Sequence, residues 1–246
     1  MFDKKARGNE DIAKRLSEKD PLEGLSCSYK AYPIRLWIQD MKNYYEDYFN
    51  HASKHIHFIH FKARSGLPND VVAKVEQSLK DQIDASTKAI DDAIEHSEAL
   101  MKGSGITLAI DGTPNCSTPL SHTAKIISPL TNRYIQLIEK TDYVLRALDA
   151  LFLDEVITMQ EYNVRRGLFK SHIKRFYYAC RNYDEGLRTR MDAELAKDQT
   201  TAGGKGNGSV DAQPGQVALS ETIPAREKPP RRHRPTKAQP PPEVAA

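Results

Sequence analysis

The sequence predicts a mainly α protein with a few short β-strands, an α+β chain in which long helices dominate. Long stretches free of Gly and Pro carry apolar residues every three or four positions, the period of an amphipathic helix. Two short segments alternate in the period of a strand, and a helical pattern follows each directly. From about Asp198 onward, Gly and Pro accumulate and no apolar period survives.

In chain order, residues 1–21 are polar and read as a flexible N-terminal segment, in which Ile12 and Leu16 support only a short helix that should fray. Leu25 to Ala31 alternates, with Cys27, Tyr29 and Ala31 on one side and Ser26, Ser28 and Lys30 on the other, as in a half-buried strand. Ile34, Trp37, Ile38, Met41, Tyr45 and Tyr48 then repeat at helical spacing, with Pro33 in the first turn, where a missing N–H costs nothing. The run His55 to Phe61 fits both templates and is read as helix, ending near Ser65-Gly66.

Pro68-Asn69-Asp70 opens one uninterrupted helix that reaches Lys102 and is closed by Gly103. Its apolar stripe of Val72, Val75, Leu79, Ile83, Ile90, Ile94 and Met101 is narrow, which suits a hairpin arm or a coiled-coil partner. That stripe could be covered by the chain's own core or by another protein. Ile106 to Ile110 is a short strand candidate, followed by turn residues 111–115. His122 to Ile127 alternates again. Ser128-Pro129 starts a helix with a broad apolar face through Tyr134, Leu137, Ile138, Val144, Leu145, Leu148, Leu151 and Phe152. Thr158 and Glu161 form a capping box ahead of a last long helix with Tyr162, Phe169, Ile173, Phe176 and Cys180 inward. The expected organisation is a single helical core over 22–197, followed by a disordered tail, 198–246, whose basic run includes Lys228, Arg231, Arg232, Arg234 and Lys237.

Several functions are excluded at this stage. No apolar run approaches the roughly 18 to 20 residues of a membrane span, and the first twenty residues lack the apolar centre of a signal peptide, so a cytoplasmic protein is expected. Cys27, Cys116 and Cys180 form no C-x-x-C pair and read as three reduced, buried thiols. His51, His55, His57 and His60 lack an H-E-x-x-H arrangement and read as structural or surface residues, not metal ligands. No phosphate loop, nucleophile elbow or paired acids occur, so neither enzyme nor cofactor is expected.

Lys and Arg total 36 against 33 Asp and Glu, a net charge of +3 that says little until the charges are located. The last helix carries Arg165, Arg166, Lys170, Lys174, Arg175 and Arg181 against Glu161 alone between Thr158 and Tyr183. Residues 166, 170 and 174 are one turn apart, a row suited to DNA phosphates. The strands offer a second mode. A two-stranded ribbon fits the major groove, and Ser26, Ser28 and Lys30 on one strand, with Thr123 and Lys125 on the other, could reach base edges. Either strand could equally be an ordinary edge protected by its Lys.

The stretch His122 to Tyr183 carries a resemblance. Ile126-Ile127-Ser128-Pro129, Tyr134, Leu137, Ile138, Asp142-Tyr143-Val144-Leu145-Arg146, Leu148, Leu151 and the Ile157–Tyr162 entry into a basic helix are similar to the AcaB-like proteins of conjugative plasmids and integrating conjugative elements. Upstream, a strand leading into Ile34-Arg35-Leu36-Trp37 fits more loosely. The resemblance implies a transcriptional regulator, an activator of transfer genes, with a DNA-binding unit related to the ribbon-helix-helix class. Such a unit forms when two chains each supply one strand, which implies a homodimer. The residues it implicates are Thr123, Lys125 and Arg133, with Lys30 and Arg35 on the first strand-to-helix step as the alternative. Double-stranded DNA is then the partner. The competing expectation is a helical interaction or assembly protein of the conjugation machinery that contacts a protein through 69–102 and does not bind DNA.

Overall fold

The computed structural model describes residues 8–18, 22, 28–107 and 118–202, with side chains to Lys197. These belong to one compact unit, Met1–Gly204. The expectations for Cys27, Cys116, turn 111–115 and the basic tail run lie outside the described residues.

The chain begins with helix α1, Asn9–Glu18, and strand β1, Lys30–Leu36. A continuous helical run over 39–66, called α2, follows: α-helical at Gln39–Tyr44, Asn50–His57 and Ala63–Gly66, with π-helical turns at Tyr45–Phe49 and Phe58–Lys62. Helix α3, Asn69–Gly103, completes the first half. Strand β2, Leu120–Ile126, and helices α4, Pro129–Leu153, and α5, Met159–Ala202, form the second. The halves match. Lys30, Gln39 and Asn69 open the elements of the first, and Leu120, Pro129 and Met159, each 90 positions later, open their counterparts.

β1 and β2 pair antiparallel within the chain, Lys30 opposite Ile126 through Leu36 opposite Leu120. The ribbon is therefore closed by one chain, and the strand-sharing argument for a dimer is corrected. Tyr32, Ile34 and Leu36 face inward with His122, Ala124 and Ile126, because alternate residues share a face. Pro33 lies mid-strand, and the helix it was expected to open starts at Gln39. Both strands of a two-stranded sheet are edges, where Pro is tolerated.

The second helix of each half packs on the first helix of the other, α3 on α4 and α2 on α5. Arg133 and Lys140 of α4 bind Asp84 and Asp91 of α3, at 2.8 and 2.7 Å. Both partners advance seven residues, so the two helices run parallel in a coiled-coil-like contact. The α3 stripe of Val72, Leu79, Ile83, Ile90 and Met101 is thereby buried inside the chain, which decides between the two alternatives for it in favour of the chain's own core and against another protein docking on the stripe. Across the centre, Tyr45 stacks on Phe49, Phe49 on Tyr134, and Tyr134 lies 4.8 Å from Phe176, joining α2, α4 and α5.

Several boundaries differ from expectation. β1, expected over 25–31, runs through Lys30–Leu36, so Ser28 precedes the strand. α1 is docked, with Ile12 and Leu16 in the core, because a short amphipathic helix gains from burial what it lacks in length. α5 extends to Ala202, past the expected start of the tail. Ile106 and Thr107 are outside any strand, and the remainder of that candidate is not described. The caps read from sequence form: Ser128 accepts from Thr131 N at 3.1 Å, and Thr158 N donates to Glu161 Oε2 at 2.9 Å.

Asp142 of α4 ties the halves together at the β1-to-α2 step. Its Oδ1 accepts from Trp37 N at 3.1 Å and Ile38 N at 2.8 Å, and Arg146 Nε lies 3.4 Å from Oδ2. Burial pushes this carboxyl up to about 6, against the backbone donors and Arg146, which favour its charge. A raised carboxyl pKa means that the folded state holds the proton more tightly than the unfolded chain, so ionising Asp142 costs stability as pH rises through 6. Asp142→Asn removes that titration. In chemical denaturation, the stability of the native protein relative to Asp142→Asn should decline between about pH 4 and pH 7, by up to about 3 kcal/mol for a two-unit shift, and level off above that. A pH-independent difference would refute this. Asp142→Ala, which orphans two buried N–H groups, should lower the melting temperature by on the order of 10 °C.

Candidate nucleic-acid interface

The ribbon has one buried and one open face. Opposite the inward row stand Ala31, Pro33 and Arg35 of β1 and Ser121, Thr123 and Lys125 of β2, paired as Ala31 with Lys125, Pro33 with Thr123, and Arg35 with Ser121. All are solvent-exposed except Lys125, which is half-buried. The pairing has a local twofold axis through Pro33–Thr123, and Arg35 and Lys125 occupy its equivalent positions. The outer face therefore carries a cation at each end, each opposite a small residue.

Both cations are held by aromatic faces. The Arg35 guanidinium lies 4.8 Å from the Trp37 ring centroid, with Arg146 at 5.8 Å from the same ring. Lys125 Nζ lies 5.4 Å from the ring of Tyr29, itself exposed. Such contacts contribute about 0.5 to 1 kcal/mol at exposed sites and reduce the freedom of a long side chain. From beneath, Tyr32 donates to Glu139 Oε2 at 2.7 Å, and Tyr45 Oη is 2.8 Å from His122 Nδ1, so the inner row is pinned to α4 and α2. Burial and the Glu139 carboxylate raise the Tyr32 hydroxyl to about 12, which keeps it a donor.

The expected site residues separate into groups. Arg35, Thr123 and Lys125 meet on the outer face. Lys30 lies at the ribbon end in register with the inward row, and Arg133 turns to Asp84 on α3. The helix row is differently engaged. Arg166 binds Asp40 at 2.9 Å and Asp149 at 3.2 Å and donates to Tyr162 Oη. Lys170 binds Asp40 at 3.0 Å, and Lys174 lies 5.1 Å from the Tyr44 ring. Burial works to raise the Asp40 carboxyl, but hydrogen bonds from Arg166 and Lys170 outweigh it and hold the group below its ordinary value. Arg166 and Lys170, expected on phosphates, are thus paired with acids on α2 and α4 remote in sequence, while Lys174 lies against an aromatic ring. Arg165 and Arg175 make no ion pair among the described residues.

Ser121 was missed because the strand was read from His122; two positions before Thr123, it shares that residue's face. Among the histidines, His55 pairs with Asp184 at 2.5 Å and His60 with Glu76 at 2.9 Å, pinning α2 to α5 and α3. No cluster of three or more His, Cys, Asp or Glu with metal-binding geometry occurs among the described residues. Cys180 is buried, and burial raises its thiol. Among those residues, no helix is long and apolar enough to cross a membrane.

Among solved structures, the chain is similar to a crystal structure of selenomethionine-containing AcaB from uropathogenic E. coli, with a TM-score of 0.63 and 18% identity, covering 71% of this chain and 88% of that one. At that identity the likeness shows an AcaB-like fold. No family model and no curated protein matches the sequence.

The Asp40 network predicts its own effects. Arg166→Ala and Asp40→Ala should each lower stability by about 1 to 3 kcal/mol, as expected for loss of hydrogen bonds to charged groups. Because the folded-state Asp40 pKa is depressed, its contribution is present above the unfolded value near 4 and is lost as pH falls through the folded value. Thermal melts at pH 3 and pH 7 check this. A difference between native protein and Asp40→Ala that grows on acidification would contradict the assignment.

Proposed function

We propose that the protein binds double-stranded DNA through the outer face of the β1–β2 ribbon and acts as a transcriptional regulator, an activator of transfer genes on a conjugative element. The observation that carries DNA binding is the pair of twofold-related cations, Arg35 and Lys125, on an exposed two-stranded ribbon of the width that enters a major groove. Thr123 adds a hydroxyl between them and Ser121 one beside Arg35. The strand-helix-helix order of each half supports a ribbon-helix-helix relationship. The regulatory and conjugative setting rests on the sequence resemblance at 122–183 and on the AcaB-like fold. The activity is binding without catalysis, in the cytoplasm. A homodimer would present two such ribbons.

A second reading, an interaction or assembly protein without DNA affinity, is now favoured by a different feature. Val164, Leu168 and Tyr178 are exposed along α5. It predicts a protein complex and no duplex binding.

The chain's single Trp makes the test direct, since Trp37 lies against Arg35. Duplex titration should change Trp37 fluorescence saturably as Arg35 moves to a base edge. Affinity should fall with salt, by roughly one logarithmic unit per logarithmic unit of salt for each neutralised phosphate. Arg35→Ala and Lys125→Ala should each weaken a preferred duplex by about 10- to 100-fold, whereas Arg166→Ala should leave its affinity unchanged. Absence of salt-dependent binding would refute the DNA reading.

A further inference from the structure

We infer that one chain is a complete reading head for a directional duplex site, with Arg35 and Lys125 specifying its two unlike ends. This rests on the duplex-binding reading above and goes beyond it in naming what is read and how many chains read it. Where two identical chains pair their strands, twofold-related positions hold the same residue, and the ribbon matches two identical half-sites. Here both strands come from one chain. Arg35 is equivalent to Lys125, Pro33 to Thr123 and Ala31 to Ser121. The scaffold of a twofold reader is retained while all three outward positions differ.

The differences have chemical content. Arginine presents a planar fork that matches guanine O6 and N7 together, whereas lysine presents a point charge on a flexible stem. Proline offers no donor to a base edge, while its counterpart Thr123 offers a hydroxyl and a methyl. Ser121, opposite Arg35, adds a second hydroxyl at that end, whereas Ala31, opposite Lys125, carries none. The supports differ as well: Arg35 lies on Trp37, itself flanked by Arg146, while Lys125 lies on Tyr29. The first helix behind β1 contains π-helical turns at Tyr45–Phe49 and Phe58–Lys62, whereas its counterpart Pro129–Leu153 is an uninterrupted α-helix.

Geometry sets the spacing. Lys125 faces Ala31, four residues along β1 from Arg35, or about 13 Å at about 3.3 Å per residue. That spans about four base-pair steps of about 3.4 Å. The site is thus a short core with a strict guanine at the Arg35 end and a weaker preference about four base pairs away.

The experiment is selection of the full-length chain on a pool of duplexes with a randomised 16-base-pair centre, with sedimentation of the selected complex. The expected outcome is a non-palindromic consensus bound by one chain per duplex core. Arg35→Lys should reduce guanine discrimination at one end by about 10-fold or more, since the bidentate contact is lost. Lys125→Ala should relax only the other end. The double variant Arg35→Lys with Lys125→Arg should reverse the consensus relative to the protein, read by directional footprinting. A palindromic consensus, two chains per core, or an orientation that the double variant leaves unchanged would overturn the directional head while leaving DNA binding intact. Failure to select any duplex with salt-dependent affinity would overturn the DNA reading itself.

Discussion

The pairing of β1 with β2 is the constraint on which the rest of the molecule depends. A two-stranded ribbon is marginal in water on its own, and this one is stabilised by its inner row of Tyr32, Ile34, Leu36, Ala124 and Ile126 lying over helices of both halves. The strands are far apart in the sequence, so neither half can complete its core without the other. The crossing of partners, α3 onto α4 and α2 onto α5, follows from the same condition. Asp142 and the Asp40–Arg166–Lys170 network then link elements of the two halves through buried or half-buried charge.

Charge placement separates framework from surface. The α5 basic row has the composition of a phosphate-binding face, but α2 and α4 bring Asp40 and Asp149 against it, and an arginine already held by two carboxylates contributes chiefly to stability. The ribbon cations have aromatic faces beside them. Such contacts orient a cation and reduce the freedom of its long side chain. Near-balance between basic and acidic residues is therefore compatible with a nucleic-acid-binding surface, because what counts is which face each charge occupies.

The two-half organisation was almost silent in the sequence. Aligned at a separation of 90, the halves share a basic residue at the strand end, Arg35 and Lys125, an aromatic pair, Tyr44 and Tyr134, and scattered identities on the long helices, Lys80 with Lys170, Ile83 with Ile173, Glu95 with Glu185 and Met101 with Met191. The π-helical turns in the first half shift its helix phase relative to α4, so apolar positions fall out of step. Pro33 also concealed β1 by placing a helix-start signal inside a strand.

The sequence by itself determined the long helices, their caps at Ser128 and Thr158, the inward face of β2 and the outward placement of Thr123 and Lys125. Those features depend on local periodicity and on hydrogen bonds spanning three or four residues. Tertiary structure alone decided that the strands pair within one chain, that α3 is covered internally, that α1 docks, and that Arg166 and Lys170 are neutralised while Arg35 joins Lys125 on an open face. Each of these turns on contacts between residues roughly 30 to 130 positions apart, whose energies exceed local preference and leave no periodic trace in the chain.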